Sequence, residues 1–448
     1  MLPLAGVPLL IAVWLKSYRD IFCRDAGFEH VSRYIAGLLL SPNKTVQGIY
    51  AQQVWPDDQP VSRRAMHAAV FEAGWDSDEL MRRHREVVAG THRGRGLEVI
   101  SLDWTYVHHE RGPTIYAVKR AYDHVEGRQS RYQTVVTAVA ANAEYLDGIA
   151  VEIQFPNYQA EELAYVQMTA QADYPDLESA RQRVVELLHY HKNRVAYRNR
   201  TDIAMEIVQQ VEAEGQFPHA HYAFDNGVLC LPLTRVIEAA GKHWVSELEK
   251  SRLIQWQGQW RRVDEAAAAL GAQHPSSFRQ LQVTCRNGDE KTFWVFTKTV
   301  RLKRYGRKRL VIVHEQADLS DTPRFLLTDA LHWEGARIIR VWSYRWPVEI
   351  FHEFCKQVVG LEAAQVRKEE AVKRHFRLSC VAQSLLQRTP GGGRKSERFA
   401  FAANHQQTIG QKLYTLQRDA LGQLLQLVHG LFAQGHPCEQ VLERLMPA

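Results

Sequence analysis

The sequence predicts an α/β protein: a mixed sheet flanked by helices, with a helical N-terminal domain, a β-rich insertion and a helical C-terminal tail. Three observations carry that prediction. Residues 8–95 show helical periodicity, residues 97–142 hold three β-type runs in succession, and a strand, helix, strand order follows between residues 219 and 249.

The bulk numbers agree with a multidomain globular chain. With 448 residues and 45% apolar composition, material for a core is ample, and at roughly 100–200 residues per domain two to four domains are expected. A formal charge of +6 is compatible with a polyanion partner without demanding one. Cys23, Cys230, Cys285, Cys355, Cys380 and Cys438 form no CxxC pair and no zinc spacing, so they read as reduced thiols in a cytosolic protein. The apolar run before Lys16 falls short of the roughly 20 residues that span a bilayer and lacks a signal peptide's basic start, so a core helix and no membrane partner are expected.

In chain order, "WLKSYRDIF", "HVSRYIAGLLL", "SRRAMHAAVFEAG" and "DSDELMRRHREVVAG" make residues 1–95 an all-helical domain. Pro60 and Ser62 place a cap before the basic "SRRAMHAAV", which reads as a solvated surface helix or as a short helix that can enter a DNA groove. Residues 96–251 form the first part of the α/β core. There "LEVISLDWT" and "TIYAVKRAYDHV" read as strands joined by a hairpin at "HHERGP", and "RYQTVVTAVAAN" reads as a third. A long polar helical segment covers roughly 177–214, and then "HAHYAFDNG", "VLCLPLTRVIEAAG" and "HWVSELE" imply a parallel addition to the sheet. Residues 252–324 are a β-rich insertion subdomain, 325–390 return to the core with a helix around "YRWPVEIFHEFCK", and 391–448 are helical, entered through the linker "TPGGGRKS".

Two acids end apolar strands: Asp103 in "VISLDWT" and Asp225 in "HYAFDNG", 122 residues apart. They meet if their strands are neighbours. Glu349 is the third, on a helix whose Val348, Phe351, Cys355 and Val358 or Val359 can pack on a sheet. At 100° per residue Glu349 and Lys356 share one stripe with Glu353. Carboxylates around one point repel unless cations neutralise them, and hard ions such as Mg²⁺ or Mn²⁺ prefer oxygen ligands. Two such ions can activate a water or a 3′-hydroxyl and stabilise the leaving oxygen, which is phosphodiester chemistry.

These residues resemble the DDE transposases of bacterial insertion sequences, in the branch with a β-rich insertion between the second aspartate and the glutamate. That family carries a Tyr-x2-Arg-x3-Glu-x6-Lys signature, and Arg345, Glu349 and Lys356 hold its last three spacings. Its tyrosine falls at Trp342, with Tyr344 out of register, and Pro347 predicts that the helix starts or kinks there. "LDWT" and "FDNG" are similar to the family's two aspartate strands, and the likeness covers roughly residues 97–385. The resemblance implies an RNase H-like core, two Mg²⁺ ions with Mn²⁺ as substitute, and metal ligation by Asp103, Asp225 and Glu349. It implies double-stranded DNA partners, both transposon ends and target, with Arg345 and Lys356 on phosphates and Trp294 against a displaced base. A homodimer on DNA, in the bacterial cytoplasm at the nucleoid, completes the expectation.

The densest charge cluster, "KTVRLKRYGRKR", adds Lys298, Arg301, Lys303, Arg304, Arg307, Lys308 and Arg309 as candidate phosphate contacts. Trp294 fits a buried strand equally well. A second basic run, Arg367, Lys368, Lys373, Arg374, His375 and Arg377, reads as a DNA track or a solvated helix face. The pairs His108/His109 and His189/His191 do not read as metal sites, since the first falls in an expected turn and the second puts its rings on different helix faces. The sequence holds no GxxxxGK[ST], GxGxxG after a strand, HExxH or GxSxG, which removes nucleotide cofactors and hydrolase triads. The reading is therefore a DNA transposase that binds terminal inverted repeats, cleaves and transfers strands. The alternatives are an RNase H-like nuclease or resolvase without strand transfer, and an inactive transposase-derived DNA-binding protein.

Overall fold

The computed structural model describes residues 2–55, 61–109, 112, 114–123, 126–363, 365–392 and 408–446. The N-terminal helices are α1 (Leu9–Leu15), α2 (Asp25–Leu40), α3 (Val46–Gln52), α4 (Arg63–Phe71) and α5 (Ser77–His92). Ser62 caps α4 by accepting a hydrogen bond from the Ala65 amide, as its residue type demands; Pro60 lies outside the described residues. No described helix is long and apolar enough to cross a membrane.

Strands β1 (Val99–His108), β2 (Lys119–Asp123), β3 (Arg128–Ala141) and β4 (Leu146–Gln154) follow, then α6 (Gln159–Ala170), α7 (Leu177–Ala196) and α8 (Arg200–Glu214). The first two strands are not a hairpin. Both pair antiparallel with β3, β1 through Val99↔Ala141 to His108↔Tyr132 and β2 through Lys119↔Tyr132 to Asp123↔Arg128. β4, a stretch the sequence reading left unassigned, pairs with the same edge of β3 as β2, opposite β1, and is almost wholly buried.

Next come β5 (His221–Phe224), α9 (Leu231–Ala239), β6 (Trp244–Glu247), β7 (Leu253–Trp256), β8 (Gln259–Arg262), α10 (Val263–Gln273), β9 (Arg279–Thr284), β10 (Glu290–Leu302), β11 (Gly306–His314) and β12 (Arg324–Thr328). The expected strand, helix, strand unit is present, and β1, β5 and β6 run parallel. The β-rich segment does not stand apart: β12 pairs with β6, so among the described residues one twelve-stranded mixed sheet continues from the core into the insertion.

The chain ends with α11 (Gly335–Ser343), α12 (Pro347–Phe354), a π-helical turn over Cys355–Val359, α13 (Glu369–Arg388), α14 (Ile409–Ala433) and α15 (Cys438–Leu445). One face of the sheet carries α12, α13 and the N-terminal helices in a single apolar core, whereas α8, α9 and α10 cover the other. α14 returns to the N-terminal layer, where Asp419 accepts a hydrogen bond from the Leu10 amide at 2.9 Å. The second half of "TPGGGRKS", residues 393–396, lies outside the described residues.

α13 corrects the reading of the second basic run. Arg374, His375 and Arg377 are buried: Arg374 donates to the Trp75 carbonyl, His375 Nδ1 meets the Tyr34 hydroxyl, and Arg377 binds Asp78 and Glu152. The charges face inward because α13 is covered on both sides, by β4 and by the N-terminal helices.

Candidate active site

Three strands set the floor of the site. The β1–β5 register ends at Ser101↔Ala223, so Asp103 and Asp225, each two residues further on, lie level on adjacent strands, which are about 4.8 Å apart. Alternation sends both toward the α12 face, since Val99 and Ala223 belong to that core and Ile100 and Tyr222 to the other. Asp225 stands at the carboxyl end of β5, where open α/β sheets bind ligands. Its Oδ1 accepts from the Val228 amide at 2.9 Å, closing the Asn226–Gly227 turn, and its carbonyl accepts from Ser246 Oγ at 3.1 Å.

α12 brings the third acid. Pro347 is at its first turn, where a missing N–H costs nothing, so the proline starts the helix. The approach is fastened at three places. Ser101 Oγ donates to the Tyr344 carbonyl at 2.6 Å, Phe351 packs on Gly148, and Thr137 Oγ1 lies 2.7 Å from His352 Nε2. Thr137 also donates to the Asp103 carbonyl at 3.3 Å and is the cross-strand partner of Asp103, so one side chain ties the first acid to the glutamate helix. Burial pushes His352 down to about 3, so it is the neutral imidazole that faces Thr137.

The charges converge on Asp103. Its pKa is pushed up to about 7 by burial first, then by the Asp225 carboxylate and, more weakly, by Glu349; Arg345 opposes the rise. Glu349 is held by Arg345 Nη1 at 2.5 Å, one turn earlier. Oxygen ligands with uncompensated negative charge fit a hard divalent cation, and Asp103, Asp225 and Glu349 are the residues that would hold it. Comparison with family models matches the description "DDE superfamily endonuclease" over residues 19–281, more than half of the chain. The protein belongs to the DDE superfamily endonucleases. The matched segment contains Asp103 and Asp225 and ends before Glu349. No curated protein matches the chain.

Membership in that superfamily makes a nuclease-type enzyme acting on DNA, with divalent metal, the coarse assignment. The other expected residues divide. Lys356 lies in the π-helical turn over Cys355–Val359 that continues α12. Its ammonium is 3.9 Å from Glu362, beside Asp123 and Glu126. Lys298, Arg301, Lys303, Arg304 and Arg307 are exposed on the β10–β11 hairpin, Arg309 is half-buried, and Trp294 is half-buried against the core. Lys308 departs from the phosphate-contact expectation: it is buried, and Glu238 holds its ammonium at 2.9 Å.

His108 also departs from expectation. It ends β1 rather than lying in a turn, with Nε2 2.6 Å from Asp123 Oδ2 and 3.8 Å from Glu126 Oε1. Among the described residues, His108, Asp123 and Glu126 are the one trio whose potential ligand atoms all lie within 4.8 Å of one another. The three candidate acids are wider set, each with a hydrogen bond of its own.

Sequence reasoning missed Glu247. The β5–β6 register ends at Phe224↔Ser246, so Glu247 lies level with Asp225 on the next strand and extends the acidic row. Its signal was present, an acid closing a third strand in "HWVSELE", but only pairing shows that β6 adjoins β5. Trp104 was also passed over: the Arg200 guanidinium stacks on its ring at 4.3 Å, in a cleft of about 630 Å³ beside Gly227.

Proposed function

We propose that this superfamily member is a DNA transposase that binds the terminal inverted repeats of an insertion sequence, cleaves at its ends and joins the 3′-hydroxyls to target DNA. The observation that carries the reading is the level placement of Asp103 and Asp225 on β1 and β5 with Glu349 presented beside them by α12. When bound, two Mg²⁺ ions supply the charge that activates water or a 3′-hydroxyl and stabilises the leaving oxygen. The chain's own part is to hold and neutralise. Asp103, Asp225 and Glu349 are the proposed ligands; Arg345 restrains Glu349 and offers a guanidinium to phosphate; Arg301, Lys303, Arg304 and Arg307 line an exposed basic hairpin for the DNA backbone. The proposed assembly is a homodimer on two DNA ends in the bacterial cytoplasm.

The test is Mg²⁺-dependent cleavage and strand transfer on a duplex carrying the element's ends, wild type against Glu349→Ala, with binding followed in parallel. Cleavage lost while binding persists supports the reading. Cleavage without strand transfer would place the protein with nucleases and resolvases. Binding without cleavage in the wild type would make it a DNA-binding descendant, a reading that the engagement of Lys356 with the Glu362 cluster favours.

A further inference from the structure

Among the described residues, the arm formed by α6 and α7, between β4 and α8, buries less than any stretch of comparable length. The two helices pack mainly on one another: Tyr165 is the buried residue of α6, and α7 has no buried residue among its described side chains. The arm is rooted at its base, where Lys119 of β2 binds Glu161 and Gln154 Nε2 donates to the Arg198 carbonyl at 3.3 Å. Beyond the base, the half-buried residues of α7 (Ala180, Arg183, Leu187) face α6, and the opposite side is open.

That open side is apolar. Leu177, Val184, Val185 and Leu188 are 71%, 56%, 65% and 59% exposed, and at 100° per residue they share an arc of about 100°. On α6, Leu163 and Met168 are exposed as well. Helices in water draw their stability from burying such a face rather than from propensity, and an exposed apolar stripe of this kind marks an interaction site.

We propose that this face is a homodimer interface, with α7 packed antiparallel on α7 of a second copy of the chain. The charge pattern selects both occupant and direction. α7 begins with Asp176 and Glu178 and ends with Lys192 and with Arg194, which already binds Glu162 of α6 and so leaves Lys192 as the basic partner. An antiparallel pair centred near Val184 sets each acidic end against a basic end and opposes the helix dipoles; a parallel pair stacks like on like. Leu188 then lies over the aliphatic stem of the second copy's Arg181, and Glu178 reaches the second copy's Lys192. A nucleic acid partner fits poorly, since the stripe is apolar and its leading end acidic. The inference rests on the transposase reading for its purpose, bringing two DNA ends together, but not for its geometry.

The experiment is sedimentation of the full chain without DNA, wild type against Leu188→Glu, with circular dichroism to confirm that the exposed substitution leaves the fold intact. The wild type is expected to dimerise and the variant to dissociate at least ~10-fold more readily. A second measurement uses single cysteines in a Cys23→Ser, Cys438→Ser background: Val184→Cys should cross-link under mild oxidation and Leu177→Cys should not. A monomeric wild type, a dimer indifferent to Leu188→Glu, or equal cross-linking at both positions overturns the proposal. None of these readouts depends on Glu349, so failure of the catalytic reading shows separately as absent Mg²⁺-dependent cleavage.

Discussion

Asp103 and Asp225 lie level with one another on adjacent parallel strands, two residues beyond the paired Ser101 and Ala223. Because their charges share one low-dielectric floor, Asp103 keeps its proton up to about 7, and burial is the largest cause. A raised carboxylate pKa means that the folded state binds the proton more tightly than the unfolded state, so ionising Asp103 costs stability as pH rises from about 4 through its folded value. Asp103→Asn should therefore raise the melting temperature near pH 8, raise it less near pH 5 and leave it unchanged only below about pH 4, while abolishing stabilisation by Mn²⁺. Arg345→Ala should move the pH midpoint of Mn²⁺ stabilisation upward, since Arg345 opposes the rise. Thermal scans across pH, with and without Mn²⁺, check all three.

The mount of α12 is open to two substitutions. Thr137→Val leaves His352 Nε2 facing an apolar group, and an unsatisfied buried polar atom costs about 1–3 kcal/mol. At Gly148 a Cβ would sit 2.3 Å from the Phe351 ring; Gly148→Ala should destabilise by about 1–3 kcal/mol and displace Glu349. Urea unfolding gives the first quantity. Cleavage should fall further than stability, while DNA binding persists.

Asp147, Arg388 and His92 form a buried ionic knot between β4, α13 and α5, with Asp147 2.8 Å from each of the other two. Burial would raise Asp147, but Arg388 and His92 hold it well below the usual carboxylate range; burial would lower His92, but Asp147 and Glu98 hold it above its ordinary value. The Asp147 contribution is present above about pH 4 and lost as pH falls through its folded value. That of His92 is present below about pH 6.5 and lost as pH rises through its own. Arg388→Met, which strands the buried carboxylate, should cost about 3–5 kcal/mol at neutral pH and less in acid. Denaturant titrations at three pH values would show it.

The β10–β11 hairpin separates two kinds of lysine and arginine. Neutralising exposed Arg301 or Arg304 should lower the salt slope of DNA binding by about one per lost phosphate contact and leave stability unchanged. Lys308→Met should do the reverse, because Glu238 already holds that ammonium. Filter binding across salt concentrations, beside melting curves, distinguishes them.

Glu247, level with Asp225, is expected to be sensitive as well. Glu247→Gln should weaken Mn²⁺ stabilisation, whereas Glu249→Gln, exposed two residues later, should not.

Local signals read well where one physical rule dominated. Alternating apolar runs located β1 and β3, Asn-Gly marked the turn after Asp225, and Pro347 marked the start of α12, since proline suits the first turn of a helix and little else within one. β4 was hidden because "YLDGIAVEIQF" is buried almost throughout, so it has no polar alternation to read. The arm of α6 and α7 was read only in part, since its apolar residues face outward.

The sequence alone supplied the candidates for chemistry: two acids closing apolar strands and a glutamate on a proline-started helix, because residue type and local period are intrinsic to the chain. Tertiary structure alone decided which of them meet, and which charges are free. Strand register set Asp103 beside Asp225 and added Glu247, because pairing across 122 residues is set by the packing of the whole sheet. Lys356 faces Glu362, and burial of α13 and β11 turned Arg374, Arg377 and Lys308 into internal fasteners. A basic side chain looks the same in sequence whether it meets phosphate or a buried carboxylate; only its surroundings settle which.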